Sequence, residues 1–150
     1  MAVARRLAVI LALITLTAGC GGSTDTPSSP SPSLPRGEYA TTDLRVGTGT
    51  EALIGNRTTV HYTLWLYDPA QPENKGRRVE SSRDAGRAPF QLTAGGSDSI
   101  PGFARAVVGM KVGGERRVIV PPELAYGARG QGEIQPNQTL VFDIELVSIP

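Results

Sequence analysis

Strict two-residue alternation of apolar and polar positions marks two long strands. From Arg57 to Tyr67 (RTTVHYTLWLY), Val60, Tyr62, Leu64 and Leu66 fall on one face, with Thr59, His61, Thr63 and Trp65 on the other. Gln138 to Ser148 (QTLVFDIELVS) places Leu140, Phe142, Ile144 and Leu146 together and Asp143 and Glu145 opposite. Tyr39 to Val46, Arg78 to Ser82, Phe90 to Thr93 and Glu115 to Val120 read as shorter strands. One segment changes period. After Pro101 and Gly102, the residues Phe103, Ala106, Val107 and Met110 recur at i, i+3, i+4 and i+7, which predicts one short amphipathic helix across a sheet. Gly109 weakens its last turn, and Gly113-Gly114 is expected to end it. One helix against an antiparallel sheet is an α+β domain whose large concavity lies between the helix start and the sheet.

The first 37 residues follow a different pattern. Arg5 and Arg6 precede an apolar run, Leu7 to Leu16, and the small residues Thr17, Ala18 and Gly19 lead into Cys20, the layout of a secretory leader over residues 1–19. The run is too short for a spanning helix, which needs ~20 apolar residues. Leu16-Thr17-Ala18-Gly19-Cys20 resembles a bacterial lipobox, and the resemblance implies that Cys20 is acylated as the mature N-terminus. Two acyl chains there would anchor stably where one is marginal. Residues 21–37 (GGSTDTPSSPSPSLPRG) carry four of the 12 prolines and no apolar run. Such a stretch cannot bury enough surface to fold, so residues 20–37 read as acylated Cys and tether, with a reach of at most ~50 Å. The globular part is residues 38–150, with a monomer expected.

Charge and composition then remove function classes. With 15 Lys plus Arg against 14 Asp plus Glu, the chain has a formal charge of +1, and loss of Arg5 and Arg6 with the leader makes it −1. Neither value gives a field for nucleic acid. A single Cys and a single His supply no disulfide framework and no thiolate or imidazole metal cage. His61, in mid-strand, reads as a surface or packing residue. Gly95-Gly96-Ser97-Asp98-Ser99 lacks the last Gly of a nucleophile elbow, and Gly127 to Gly132 lacks the Lys-Ser/Thr of a phosphate loop, reading instead as a mobile turn. Glu80 and Asp84 flank Arg83, which predicts a loop-bracing ion pair rather than acid-base work. Nucleophile, metal and phosphate chemistry are all poorly supplied, and no cofactor is implied.

The concavity is rich in aromatic and aliphatic residues instead. Val60-His61-Tyr62-Thr63, Glu80-Ser81-Ser82-Arg83-Asp84, Ile100-Pro101-Gly102-Phe103 with Met110 and Gly113-Gly114-Glu115-Arg116, Pro121-Pro122-Glu123-Leu124-Ala125-Tyr126-Gly127, and Leu140-Val141-Phe142-Asp143-Ile144-Glu145-Leu146 occur in that order. Together they resemble the FKBP-type peptidyl-prolyl cis-trans isomerases over nearly all of residues 38–150. The resemblance implies a curved antiparallel sheet of five to six strands wrapped around one short α-helix. It implies Tyr62, Glu80, Phe103, Tyr126 and Phe142 as catalytic residues and Val79, Phe90, Ser99, Ile100 and Ile134 as substrate-binding residues. Phe103, usually Trp, would be the floor, and the Ile100 backbone and the Tyr126 hydroxyl would meet ligand carbonyls. The loop Gly127 to Gln135 would close over the proline. Implied partners are proline-containing polypeptide clients and macrolide inhibitors, and the lipobox adds a membrane, on the outer face of the bacterial cytoplasmic membrane or in a periplasmic or cell-surface setting.

This chain departs from the family pattern at Val79, often aromatic, at Glu80, usually Asp, and in the longer connection Asp68 to Arg77. These departures bear on macrolide affinity more than on isomerisation. They also motivate the competing reading, a proline-peptide-binding or chaperone-like module with little turnover. A structural surface lipoprotein fits the anchor but leaves the pocket residues unexplained.

Overall fold

The computed structural model describes residues 33–150; the expected leader, Cys20 and the expected tether as far as residue 32 lie outside them. Alternation decides which side of each long strand faces the helix. β1 (Ala40–Arg45) forms one edge of the sheet, and β2 (Arg57–Tyr67) and β6 (Leu140–Ser148) pair antiparallel at its centre. Val60 stands opposite Leu146, Tyr62 opposite Ile144, Leu64 opposite Phe142 and Leu66 opposite Leu140, so the two apolar rows share one face. β3 (Lys75–Ser81), β4 (Phe90–Thr93) and β5 (Glu115–Val120) complete a six-stranded sheet in the order β1-β5-β6-β2-β3, with β4 also on β2. Every pairing is antiparallel. Among the described residues no helix is long and apolar enough to cross a membrane.

α1 (Pro101–Val107) lays Phe103, Ala104, Ala106 and Val107 into the core against Val60, Leu64, Val118, Val120, Ile144 and Leu146. It lies close because of Gly102: a Cβ there would come within 2.3 Å of Val120 Cγ1. The expected helix end is corrected. The helix stops at Val107, not at Gly113-Gly114, because Val108 is already extended and Gly109 takes the left-handed conformation at φ 77°. Met110 is buried without being helical. Arg116 supplies what a seven-residue helix lacks at its end, donating to the carbonyls of Ala106 at 2.9 Å and Val108 at 3.0 Å.

The outer face of the sheet carries a charged network. Asp143 accepts from Arg117 Nε at 2.7 Å, Arg117 Nη2 at 2.9 Å and Lys75 Nζ at 2.7 Å, and Lys75 sits 4.3 Å from the centroid of the Trp65 ring. Burial alone would raise the Asp143 carboxyl, but the hydrogen bonds from Arg117 and Lys75 outweigh it and hold it below the usual carboxylate range. Glu73, in the left-handed region at φ 58°, reaches Arg117 at 3.0 Å and Lys75 at 3.1 Å. The long connection is therefore shorter than its sequence reads: β3 begins at Lys75, and Pro72–Asn74 forms a 3₁₀ turn pinned to the sheet by Glu73.

Candidate functional site

β2 changes its edge partner in mid-strand, and a cleft opens there. Its first half pairs with β4, Val60 opposite Phe90, and its second half with β3, Thr63 opposite Ser81. The chain between, residues 82–89, leaves the sheet and returns, so Tyr62 has no strand neighbour on that side. Hydroxyls and amides of the departing chain replace the strand: the Ser82 N–H donates to the Tyr62 carbonyl at 3.0 Å, the Ser81 hydroxyl donates to it at 2.9 Å, and the Tyr62 N–H donates to Ser82 Oγ at 2.9 Å.

Eight of the ten residues expected at the site meet in a cleft of about 160 Å³. Phe103, 2% exposed, is its floor. The Phe103 ring is 5.6 Å from Tyr62, 5.1 Å from Phe142 and 6.1 Å from Phe90, each close to perpendicular, the edge-to-face arrangement that aromatic quadrupoles favour. Ser99 and Ile100, on the connection into α1, form one rim, and Tyr126 and Glu80 form the other. Val79 and Ile134 line an adjoining lobe of about 270 Å³ that shares Glu80 and Tyr126 with the cleft. A further lobe, walled by Arg87, Ala88 and Pro89, opens beside Tyr62 and Phe90.

Polar groups are few and placed singly. The Tyr62 hydroxyl donates to Glu80 Oε1 at 2.8 Å, and Arg87 Nη1 donates to Glu80 Oε2 at 2.8 Å, so both carboxylate oxygens are engaged. Burial, reinforced by the bond to Glu80 and by its charge, drives the Tyr62 phenol far above its ordinary value. Burial and then the Glu80 charge also raise Tyr126, which stays a neutral hydroxyl. That hydroxyl bonds no other described residue, and Tyr126 lines the cleft. The Ile100 carbonyl accepts from Phe103 at 3.0 Å and Ala104 at 3.1 Å, while its own N–H has no acceptor among the described residues. Two donors thus stand unspent at opposite rims of an aromatic cleft.

One reading is corrected. Arg83 braces neither Glu80 nor Asp84: it pairs with Glu145 on β6, while Arg78 holds Asp84 and Arg87 holds Glu80, because the turn after Ser81 points Arg83 to the outer face. Gly127–Gln135 is a turn between strands as expected, with a 3₁₀ segment at Gly127–Arg129 and reciprocal Gln131 and Ile134 backbone bonds of 2.9 Å. Leu64 and Arg87 were missed as site residues. Leu64 was within reach, two positions beyond Tyr62 on the same strand face; Arg87 lies in a loop with no periodicity to place it. Among the described residues no three His, Cys, Asp or Glu side chains gather as metal ligands.

Comparison with known proteins agrees with this geometry. The family model for FKBP-type peptidyl-prolyl cis-trans isomerase matches residues 49–147. The FK506-binding protein of Neisseria meningitidis serogroup A is 44% identical over 108 residues, covering 71% of this chain and 92% of that protein. The chloroplastic peptidyl-prolyl cis-trans isomerase FKBP16-4 of Arabidopsis thaliana is 42% identical over 128 residues, 82% of this chain and 53% of that one. Among solved structures, AtFKBP13 superposes with a TM-score of 0.63 at 34% identity, covering 75% of this chain and 93% of its own. FkpA from Escherichia coli gives 0.62 at 32% identity, over 74% of this chain and 47% of that chain. An aromatic cleft entered at a helix start, with few polar groups on its rims, suits catalysis that breaks no bond, and by fold and sequence the chain belongs to the FKBP-type peptidyl-prolyl cis-trans isomerase family.

Proposed function

We propose that the domain speeds rotation about X-Pro bonds in exported polypeptides, binding the prolyl ring over Phe103 between Tyr62, Phe90 and Phe142. The observation that carries the reading is the aromatic cleft over Phe103, whose lining includes Ile100 and Tyr126, residues whose N–H and hydroxyl bond no other described residue. Rotation faces a barrier of ~18–20 kcal/mol because resonance gives the C–N bond double character. The planar amide has the larger charge separation, so an apolar cleft penalises it more than the twisted form. The Tyr126 hydroxyl and the Ile100 N–H hold carbonyls of the segment while the prolyl side turns. A 10,000-fold acceleration needs about 5.4 kcal/mol at 1.36 per decade, within the range of these effects together. Val79 and Ile134 form the lobe for a neighbouring side chain, and Glu80, held by Tyr62 and Arg87, fixes the cleft wall.

The site of action in this proposal is the outer face of the bacterial cytoplasmic membrane. Its support is the leader, the lipobox-like run ending at Cys20, and the proline-rich tether. Cis-to-trans exchange of a Leu-Pro peptide, followed with and without a macrolide competitor, tests the activity. A rate equal to the buffer blank from a folded sample refutes it, and suppression of client aggregation at that rate would favour a binding module. Mass spectrometry of membrane-extracted protein tests the anchor, which an unmodified Cys20 in mature material refutes.

A further inference from the structure

We infer that Ser82 is a positioning residue that links the charge of His61 to the backbone of Tyr62; the inference rests on the isomerase reading of the cleft. Ser82 is 3% exposed, and its Oγ stands between two elements. On one side it accepts the Tyr62 N–H at 2.9 Å and lies 3.3 Å from the Tyr62 carbonyl. On the other it is 3.0 Å from Nδ1 of His61, whose side chain points to the outer face of β2 while that of Tyr62 points into the cleft.

A serine hydroxyl has one proton, so these contacts cannot all be donations from it. When the His61 Nδ1 is bare, the Ser82 O–H points to it and Oγ receives the Tyr62 N–H. When His61 is protonated, Nδ1–H donates to Oγ and the Ser82 proton must turn, and the acceptor within reach is the Tyr62 carbonyl. That oxygen already receives the Ser82 N–H at 3.0 Å and the Ser81 hydroxyl at 2.9 Å. A carbonyl has two lone pairs, so a third donor displaces one of the two. The disturbance falls on the residue whose ring forms the cleft wall and whose hydroxyl holds Glu80 at 2.8 Å.

Imidazole is the side chain that changes charge between about pH 5 and 8, and this chain has one His. The charged groups facing it are Glu145 of β6, its register partner, with Asp143 further along that strand, Glu115 of β5, and Arg83 after β3. Glu145 is paired with Arg83 and Arg45, Glu115 with Arg45, and Asp143 with Arg117 and Lys75, so these acids are already committed. Gln91, opposite Thr59 on β4, is uncharged.

The test uses the full chain. With a Leu-Pro peptide, wild-type kcat/KM falls about five-fold from pH 8 to pH 5, the scale of one weakened hydrogen bond. His61→Gln and Ser82→Ala give flat profiles over the same range. The Tyr62 amide nitrogen shift follows the imidazole titration in wild type and stops doing so in Ser82→Ala. A pH slope that persists in His61→Gln, or a Tyr62 amide that ignores the imidazole in wild type, overturns the inference. If Ser82→Ala fails to fold, His61→Gln decides. If no pH gives exchange above the blank, the isomerase reading falls, and the Tyr62 amide titration still decides whether Ser82 couples the two residues.

Discussion

Phe103→Leu separates the two roles the structure gives this side chain, packing centre and cleft floor. Leu keeps a smaller apolar group at a 2% exposed position, so the three edge-to-face contacts to Tyr62, Phe90 and Phe142 are lost and a small void adds to the cost. At ~0.5–1.5 kcal/mol for each contact, the loss is about 3 kcal/mol. Spread over the unfolding entropy of a domain spanning residues 33–150, that lowers Tm by about 12 °C. The flat ring beneath the proline goes too, and kcat/KM for a Leu-Pro peptide drops about ten-fold, or about 1.4 kcal/mol. Urea unfolding and peptide exchange are measured on the same sample, below the variant's transition. A variant that loses the expected stability but keeps kcat/KM within two-fold shows Phe103 to be core alone. Unchanged stability shows that the ring contacts carry no energy.

Three further substitutions probe other parts of the reasoning. Tyr126→Phe removes a hydroxyl with no partner among the described residues, so stability moves by less than about 0.5 kcal/mol while kcat/KM falls about three- to ten-fold; wild-type rates remove Tyr126 from the donor role. Gly102→Ala drives a methyl to within 2.3 Å of Val120 Cγ1, costs about 1–3 kcal/mol and lifts the helix start from the sheet; chemical denaturation showing full stability contradicts that close approach. Asp143→Asn leaves Arg117 and Lys75, 14% and 19% exposed, without their shared carboxylate and costs about 2–3 kcal/mol at pH 7, with peptide exchange unchanged. The folded Asp143 carboxyl lies below its unfolded value of about 3.9, so its contribution is complete above that pH and fades as pH falls through the folded value. The stability gap between wild type and Asp143→Asn therefore closes in acid, and a gap as wide at pH 3 as at pH 7 contradicts the network.

Much of the scaffold was legible because a strand side chain has only two directions. Once Val60, Tyr62, Leu64 and Leu66 share a parity, they must share a face, and the same holds for Leu140, Phe142, Ile144 and Leu146; pairing β2 with β6 then builds half the cleft. Loops carry no such rule. Nothing in Arg83-Asp84-Ala85-Gly86-Arg87 says which arginine turns inward, and the structure sends Arg87 to Glu80 and Arg83 to Glu145. The local pattern also continued the helix to Met110, although Gly109 in the left-handed region ends it and Met110 is buried by the chain that follows.

The sequence by itself determined the alternating faces, the single amphipathic helix and the proline-rich composition of residues 21–37, because each depends on neighbours close along the chain; most cleft residues were implied by the resemblance that its ordered motifs carry. Only the tertiary structure decided that Val79 and Ile134 line a lobe beside the cleft, that Glu73 pins its connection to Arg117, and that Ser82 stands between His61 and Tyr62. Those facts depend on side chains distant in sequence meeting at hydrogen-bond range, which strand register and the turn after Ser81 set together and no local pattern records.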